Sequence, residues 1–358
     1  MENKTMRAVR IFKPGDIGLV REEIPVPKKR EVLVEVICAG ICGTDYGIFN
    51  GELSELVDFP LRPGHEWTGV VKSVGEEVVL FSPGDRVVGQ TCVACGQCED
   101  CRAGNRLNCK NRRSVGTVHA WPGAMCDFEL FSEGDLIKLP ESISFKEGAL
   151  IEPAGNAMMG IEMAKIGVGS TVCVMGTGPI GLSAVAIARA LGAKTVISVG
   201  RSVFKLETAK KMGATHVINS ISENVGERML EITSGEGVDA TLEISGSKEL
   251  LSAAFYGTKN FGDIELIAFY EGKYEFDLND FAFRLQTLRA SGCGGWGYFK
   301  KVMELMEQKR INLLPMITHE VSLNDAPTAI RELKKDNAEK IKVMINVKEQ
   351  TEAEIYEA

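Results

Sequence analysis

The sequence predicts an α/β protein in two parts, a β-rich domain followed by a doubly wound parallel sheet. Three observations carry this. Up to about Leu150 the chain shows short β-branched runs separated by Gly/Pro turns, and from about Gly155 strand-like and helix-like stretches alternate. The length of 358 residues also suits two domains at roughly 100–200 residues each. Hydrophobic residues make up 44% and charged residues 25%, close to an average globular chain, which excludes disorder and a small disulfide scaffold. With 41 basic and 49 acidic side chains the net charge is −8. An acidic chain lacks the footprint of a nucleic-acid binder or of a protein that docks on anionic membrane.

Residues 6–12 and 32–39 read as strands, and so do Val70, Val71, 78–81 and 86–88. Turn signals recur at Pro14-Gly15, Pro63-Gly64 and Pro83-Gly84, as expected of a barrel-like β domain. Two chemically dense loops, 42–61 and 92–113, interrupt it. The alternating part starts with a strand at 171–175 and a helix at 179–191, then a strand at 195–199 and a helix at 203–212. Strands at 216–218, 240–244 and 264–269 continue it, and a helix covers 298–309. A charged helix at 326–335 and a strand at 341–347 are expected to return to the first domain, because chain termini usually lie close together. The expected boundaries are 1–154, 155–293 and a C-terminal return at 294–358. The uncharged stretch 166–188 is long enough to cross a bilayer, but its glycines and Pro179 make it a strand, a turn and a helix start. Residues 1–10 have no apolar signal segment, so a cytoplasmic location with reduced thiols is expected.

Gly176-Thr177-Gly178-Pro179-Ile180-Gly181 matches G-x-G-x-x-G between a predicted strand and helix, the context that makes this motif a dinucleotide-binding loop. Gly176 permits the turn, Gly178 lets amides approach a pyrophosphate, and Gly181 lets helix and sheet pack closely. The second strand of an NAD unit usually ends in a carboxylate that holds the ribose hydroxyls. Here Gly200-Arg201-Ser202 stands instead. Arg201, Ser202 and Lys205 are expected to grip a 2′-phosphate, which predicts NADP(H) over NAD(H).

Five of the ten cysteines fall between Cys92 and Cys109. Cys95, Cys98, Cys101 and Cys109 have a spacing that closes a four-thiolate tetrahedron around a structural zinc. A ferredoxin-type cluster would need a shorter last gap followed by proline. Cys92 is left as a spare thiol. Cys42-Gly43-Thr44-Asp45, Gly64-His65-Glu66 and Glu152-Pro153-Ala154 together offer thiolate, imidazole and carboxylate ligands, a set suited to a catalytic zinc with an exchangeable position.

In this order, over nearly the whole chain, these motifs make it resemble the zinc-dependent medium-chain dehydrogenases of the alcohol, polyol and threonine group. The resemblance implies a GroES-like catalytic domain completed by the C-terminal tail, a Rossmann cofactor domain, and one catalytic and one structural zinc. It assigns Cys42 and His65 as catalytic zinc ligands, with Glu66 and Glu152 as the carboxylates that alternate at the remaining positions. A carboxylate at Glu152 favours the sorbitol-dehydrogenase-like branch. Asp45 corresponds to the carboxylate that orients the histidine, and Thr44 to the start of the proton relay. The sorbitol, butanediol and threonine branches place a histidine five residues after the zinc cysteine. Gly47 stands there in this chain, which weakens a threonine assignment and is expected to open space beside the substrate. A homodimer or homotetramer pairing through the cofactor domain is also implied.

The expected activity is hydride transfer between a secondary alcohol or polyol, or its ketone, and NADP(H). Amino-alcohol or threonine-type and bulky hydroxysteroid-type dehydrogenases are the alternatives. A non-catalytic nucleotide-binding redox sensor is the alternative of another class, and the retained Cys42, His65, Glu66 and Glu152 speak against it. Loops 47–61, 119–121 and 292–298 are expected to shape the substrate pocket, with His119, Trp121 and Trp296 at its border. Cys38, Cys126, Cys173 and Cys293 are expected to be buried apolar residues. His216 is read as the structural start of a strand, Met158 and Met159 as helix packing, and the charge run 331–342 as a solvated helix face.

Overall fold

The computed structural model describes residues 5–348 except 271, 276 and 336–338. The chain divides into two compact units. The first ends at Glu152 and resumes at Ile317, and the second is chiefly Pro153–Met316.

The first unit is built on Glu31–Ile41, a strand buried along nearly its whole length because it has partners on all sides. Glu66–Val74, Phe128–Ser132 and Lys342–Asn346 each pair with it antiparallel. The sheet runs Leu136–Lys138, Arg86–Gly89, Glu66–Val74, Glu31–Ile41, Lys342–Asn346, Ile317–Ser322. Its core includes Trp67 stacked on Phe131, with ring centroids 4.3 Å apart. Gly89 leaves room for that indole, since a Cβ there would overlap it. Removing Trp67 or Phe131 would cost about 3–5 kcal/mol.

Strand register gathers charged residues at one end of this sheet. Gly40 stands opposite Glu66, and Ile41 opposite Val343. Cys42, Glu66 and Lys342 therefore meet at that end. Gly40 leaves room there: a Cβ would displace the Glu66 carboxylate oxygen that Lys342 holds.

Residues 78–81 are not the strand that was expected. Val79 and Leu80 are exposed, and their amides donate to the buried Glu133 carboxylate at 3.0 and 3.2 Å. The charged helix is also shorter than expected, covering Ala326–Arg331.

The second unit holds six parallel strands in the order His216–Asn219, Thr195–Gly200, Thr171–Met175, Val238–Glu243, Thr258–Leu266, Thr287–Ala290. In chain order this is 3-2-1-4-5-6, the doubly wound arrangement that binds dinucleotides where the strand order reverses. The helix Trp296–Glu307, read from sequence as part of the C-terminal return, lies in this unit. Phe299 fills the space beside Gly155, and the Gly294 amide donates to Asn156 Oδ1 at 2.6 Å, so this segment is packed here before the chain returns at Ile317.

Candidate metal centres and dinucleotide site

Cys42 ends the central strand and is the N-cap of the helix Gly43–Asn50. Asp45 completes a capping box: its Oδ2 accepts from the Cys42 amide at 2.8 Å. His65 lies in the turn before Glu66–Val74, where Gly64 has φ +104 and leaves room for Met125. One ligand atom each from Cys42, His65 and Glu66 lies within 4.8 Å of the others. Asp45 Oδ1 faces His65 Nδ1 at 3.9 Å, and both atoms are buried without a hydrogen-bond partner. Burial disfavours the His65 imidazolium, but the Cys42 sulfur, with Asp45 and Glu152, outweighs this and holds it well above its ordinary pKa. Burial raises the Asp45 carboxyl, and His65 opposes the rise. A compact thiolate–imidazole–carboxylate set with uncompensated buried polar atoms fits a zinc ion. Glu152 is buried nearby and accepts from Thr91 Oγ1 at 2.8 Å, but it stands outside this compact set of three. Thr44 Oγ1 is 3.6 Å from Cys42 Sγ.

The sequence reading missed Lys342. It placed this residue at the end of a solvated charge run, yet Lys342 is only 1% exposed. Its ammonium donates to Glu66 Oε2 at 2.5 Å and to the Ile41 carbonyl at 3.1 Å. Burial pushes the ammonium pKa down, but Glu66 and then Cys42 reverse that and raise it. The only sequence signal was a lysine opening an apolar strand, Lys342–Asn346.

The sulfurs of Cys95, Cys98, Cys101 and Cys109 lie within 4.8 Å of one another, with Cys95 and Cys101 3.9 Å apart. Zn–S bonds of about 2.3 Å put tetrahedral sulfurs about 3.8 Å apart, so these residues fit the metal. Amides of Gln97 and Cys98 aim at the Cys95 sulfur and lower its pKa. Cys92 is disulfide-bonded rather than a spare thiol. Cys293 is also disulfide-bonded and only half-buried, against the expectation of a buried apolar residue. Cys38, Cys126 and Cys173 are buried as expected.

In the second unit, Gly176 has φ +122 at the end of its strand, and Gly178 caps the helix Pro179–Ala190. A Cβ at Gly178 would meet nothing within 4 Å, so the helix N-terminus is open to a ligand. A Cβ at Gly181 would overlap the Gly176 carbonyl. Thr177 is buried, and Ile180 sits on the first helical turn. Gly200 ends the second strand, and a Cβ there would come within 2.6 Å of the Thr177 side chain. Its absence of a side chain is therefore also a packing requirement. Ser202 caps the next helix through its hydroxyl, which accepts from the Lys205 amide at 3.4 Å. Burial and then the Arg201 charge lower the Lys205 pKa, so the two cations are close neighbours. Sequence reasoning missed Glu243. This fully buried residue accepts from the amides of Ser245 and Gly246 at 2.9 and 3.1 Å and from the Tyr270 hydroxyl. It ties down the loop that faces Gly176.

Gly47 does not face open space: a Cβ there would stand 3.2 Å from Glu52 Oε2 and 3.8 Å from Leu53 Cδ1, so these side chains border the position. Trp121 packs on the first unit's core and donates to the Leu130 carbonyl at 3.1 Å. Trp296 is exposed beneath Lys300, 3.6 Å from its ring. Met158 is buried; His216 is exposed at the start of its strand, and His319 is exposed on Ile317–Ser322. No helix among the described residues is long and apolar enough to cross a membrane.

The family model for the alcohol dehydrogenase GroES-like domain matches residues 28–141, and that for the zinc-binding dehydrogenase matches 179–308. L-threonine 3-dehydrogenase from Deinococcus radiodurans is 33% identical over 326 residues, covering 89% of this chain and 92% of that protein. A zinc-binding dehydrogenase from Sinorhizobium meliloti, solved bound to NADP, superposes with a TM-score of 0.89 at 30% identity, over 96% of this chain and 100% of that one. An alcohol dehydrogenase from Escherichia coli, solved with NADH, gives 0.89 at 28%, over 96% and 99%. The chain belongs to the zinc-dependent medium-chain dehydrogenase superfamily. It is a zinc-binding oxidoreductase acting on alcohols.

Proposed function

We propose that this protein transfers hydride between a secondary alcohol or polyol and NADP(H). The observation that carries the reading is the Cys42–His65–Glu66 set, a catalytic-type donor group in a chain that also carries a four-thiolate zinc site. Cys42 and His65, with Glu66 or Glu152, hold the catalytic metal. Zinc held there supplies Lewis acidity that lowers the pKa of an alcohol hydroxyl. Asp45 fixes the Cys42 amide and backs the His65 ring, so the donor set is rigid before substrate arrives. Thr44 takes the hydroxyl proton outward. Lys342 donates to one Glu66 oxygen and balances the charge of that carboxylate within the donor set.

The NADP(H) preference rests on Arg201 and Lys205, adjacent cations where an NAD unit would carry a carboxylate. The relative solved with NADP agrees with this choice, and the equally similar one solved with NADH does not. We further propose a homodimer or homotetramer paired through the cofactor domain, located in the cytoplasm.

The test is a panel of polyols, diols, simple secondary alcohols, hydroxysteroids and L-threonine, followed by cofactor absorbance with NADP and NAD, alongside metal analysis. Expected are about two zincs per chain, turnover of polyols, and higher kcat/KM with NADP. Turnover confined to L-threonine would favour the second reading, an amino-alcohol dehydrogenase, which the names of the sequence relatives support.

A further inference from the structure

Glu152 ends the chain's first segment in the first unit and stands in the first turn of the helix Ile151–Met163. It is only 5% exposed. Burial disfavours the charged forms of His65 and Lys342, and Glu152 is among the groups that favour them, after Cys42 and Asp45 for the imidazole and after Glu66 and Cys42 for the ammonium. This carboxylate therefore faces the metal set. Yet Glu66 completes the compact set with Cys42 and His65, and Glu152 stays outside it. The Thr91 hydroxyl donates to Glu152 Oε1 at 2.8 Å and holds it there.

Thr91 is seated by its backbone on both sides. The Gln90 amide donates to the Asp135 carbonyl at 3.0 Å, the Thr91 carbonyl accepts from the Val115 amide at 2.8 Å, and Cys92 pairs with Ser114. The hydroxyl is thus placed independently of the helix that carries Glu152. The two carboxylates are also tethered differently. Glu66 accepts from the buried ammonium of Lys342, which brings a countercharge. Glu152 accepts from a hydroxyl, which brings none, so it is the more easily released of the two.

We propose that Thr91 is a positioning residue of the alcohol site, whose hydroxyl latches Glu152 outside the Cys42–His65–Glu66 set and so leaves the exchangeable position to the substrate. This rests on the function proposed above. A catalytic zinc needs three protein ligands and one position that exchanges. A second buried carboxylate at the same site competes for that position, and Thr91 offers it another partner.

The experiment compares wild type with Thr91→Val, which keeps the branched shape and removes the donor, and with Thr91→Ser, which keeps the donor. Visible absorption of cobalt(II)-substituted protein reports the ligand set, after subtraction of the four-cysteine site measured in Cys42→Ala. Transfer of zinc to a chelator is followed in parallel, with kcat and KM for the alcohol that wild type turns over best. A hydrogen bond to a carboxylate corresponds to about ten- to a hundred-fold in an equilibrium. Thr91→Val is expected to change the cobalt bands, to slow zinc loss from the catalytic set by up to that factor, and to raise KM with kcat kept. Thr91→Ser should stay close to wild type, and adding Glu152→Gln to Thr91→Val should bring back the wild-type bands. Identical bands in wild type and Thr91→Val would overturn the latch, as would equal changes in Thr91→Val and Thr91→Ser. Faster zinc loss in Thr91→Val would overturn it too, by making Thr91 a support for a bound Glu152. The metal readouts need no substrate. A wild type inactive on every alcohol would overturn the functional reading alone, while the latch stands or falls on those readouts.

Discussion

Replacing Lys342 by Met tests the pairing that the sequence hid. Lys342 and Glu66 are each 1% exposed, and the ammonium also serves the Ile41 carbonyl. Methionine keeps the length and the apolar stem but leaves the Glu66 carboxylate buried without its countercharge. Breaking one partner of a buried ion pair costs about 3–5 kcal/mol. At about 2–4 °C per kcal/mol for a unit of this size, Tm should fall by roughly 6–20 °C. The assay is thermal unfolding of zinc-stripped protein, in which no metal replaces the ammonium beside Glu66, for Lys342→Met, Glu66→Gln and the double variant. Each single change should be costly. The double variant should be well above the sum of the two losses, because it buries no unpaired charge. The lost Ile41 hydrogen bond appears in both Lys342 variants and cancels in the cycle. A Tm for Lys342→Met within about 2 °C of wild type, on the same conversion, or single costs that simply add, would refute the reasoning.

Arg201→Ala is expected to raise KM for NADP by about ten- to a hundred-fold while leaving KM for NAD unchanged, the loss of a charge-assisted contact to one phosphate; equal effects on both cofactors would remove Arg201 from the 2′-phosphate site. Gly200→Asp is the poorer test, because its Cβ meets Thr177. Gly181→Ala should abolish cofactor binding, measured by fluorescence titration, because the new methyl overlaps the Gly176 carbonyl and forces helix and loop apart. In Cys98→Ser, metal analysis should show the loss of about one zinc per chain with alcohol turnover retained in part; an unchanged metal content would mean these four sulfurs do not share an ion.

Much of this protein can be read without coordinates. The glycine loop and the four-cysteine lobe are local: their residues lie within a few turns of chain, so spacing alone says which atoms can meet. Cys42, His65 and Glu66 were recognisable as residue types at turns, and the strand–helix alternation after Gly155 gave the doubly wound sheet. Other features depend on long-range pairing, to which spacing is blind. Lys342 lies far along the chain from Glu66, and in a charge run it looks like any solvated lysine. It reaches Glu66 because Lys342–Asn346 pairs with Glu31–Ile41, which pairs with Glu66–Val74. Gly47 read as open space, because a sequence does not show that Gly51 turns Glu52 back beside it. The helix Trp296–Glu307 was assigned to the wrong part of the chain because an amphipathic pattern tells which face is buried but not what buries it. By itself the sequence determined the local chemistry and the class of each segment. Only the tertiary structure decided which distant charges share a buried site, because strand register, set by the packing of whole faces, brings them together.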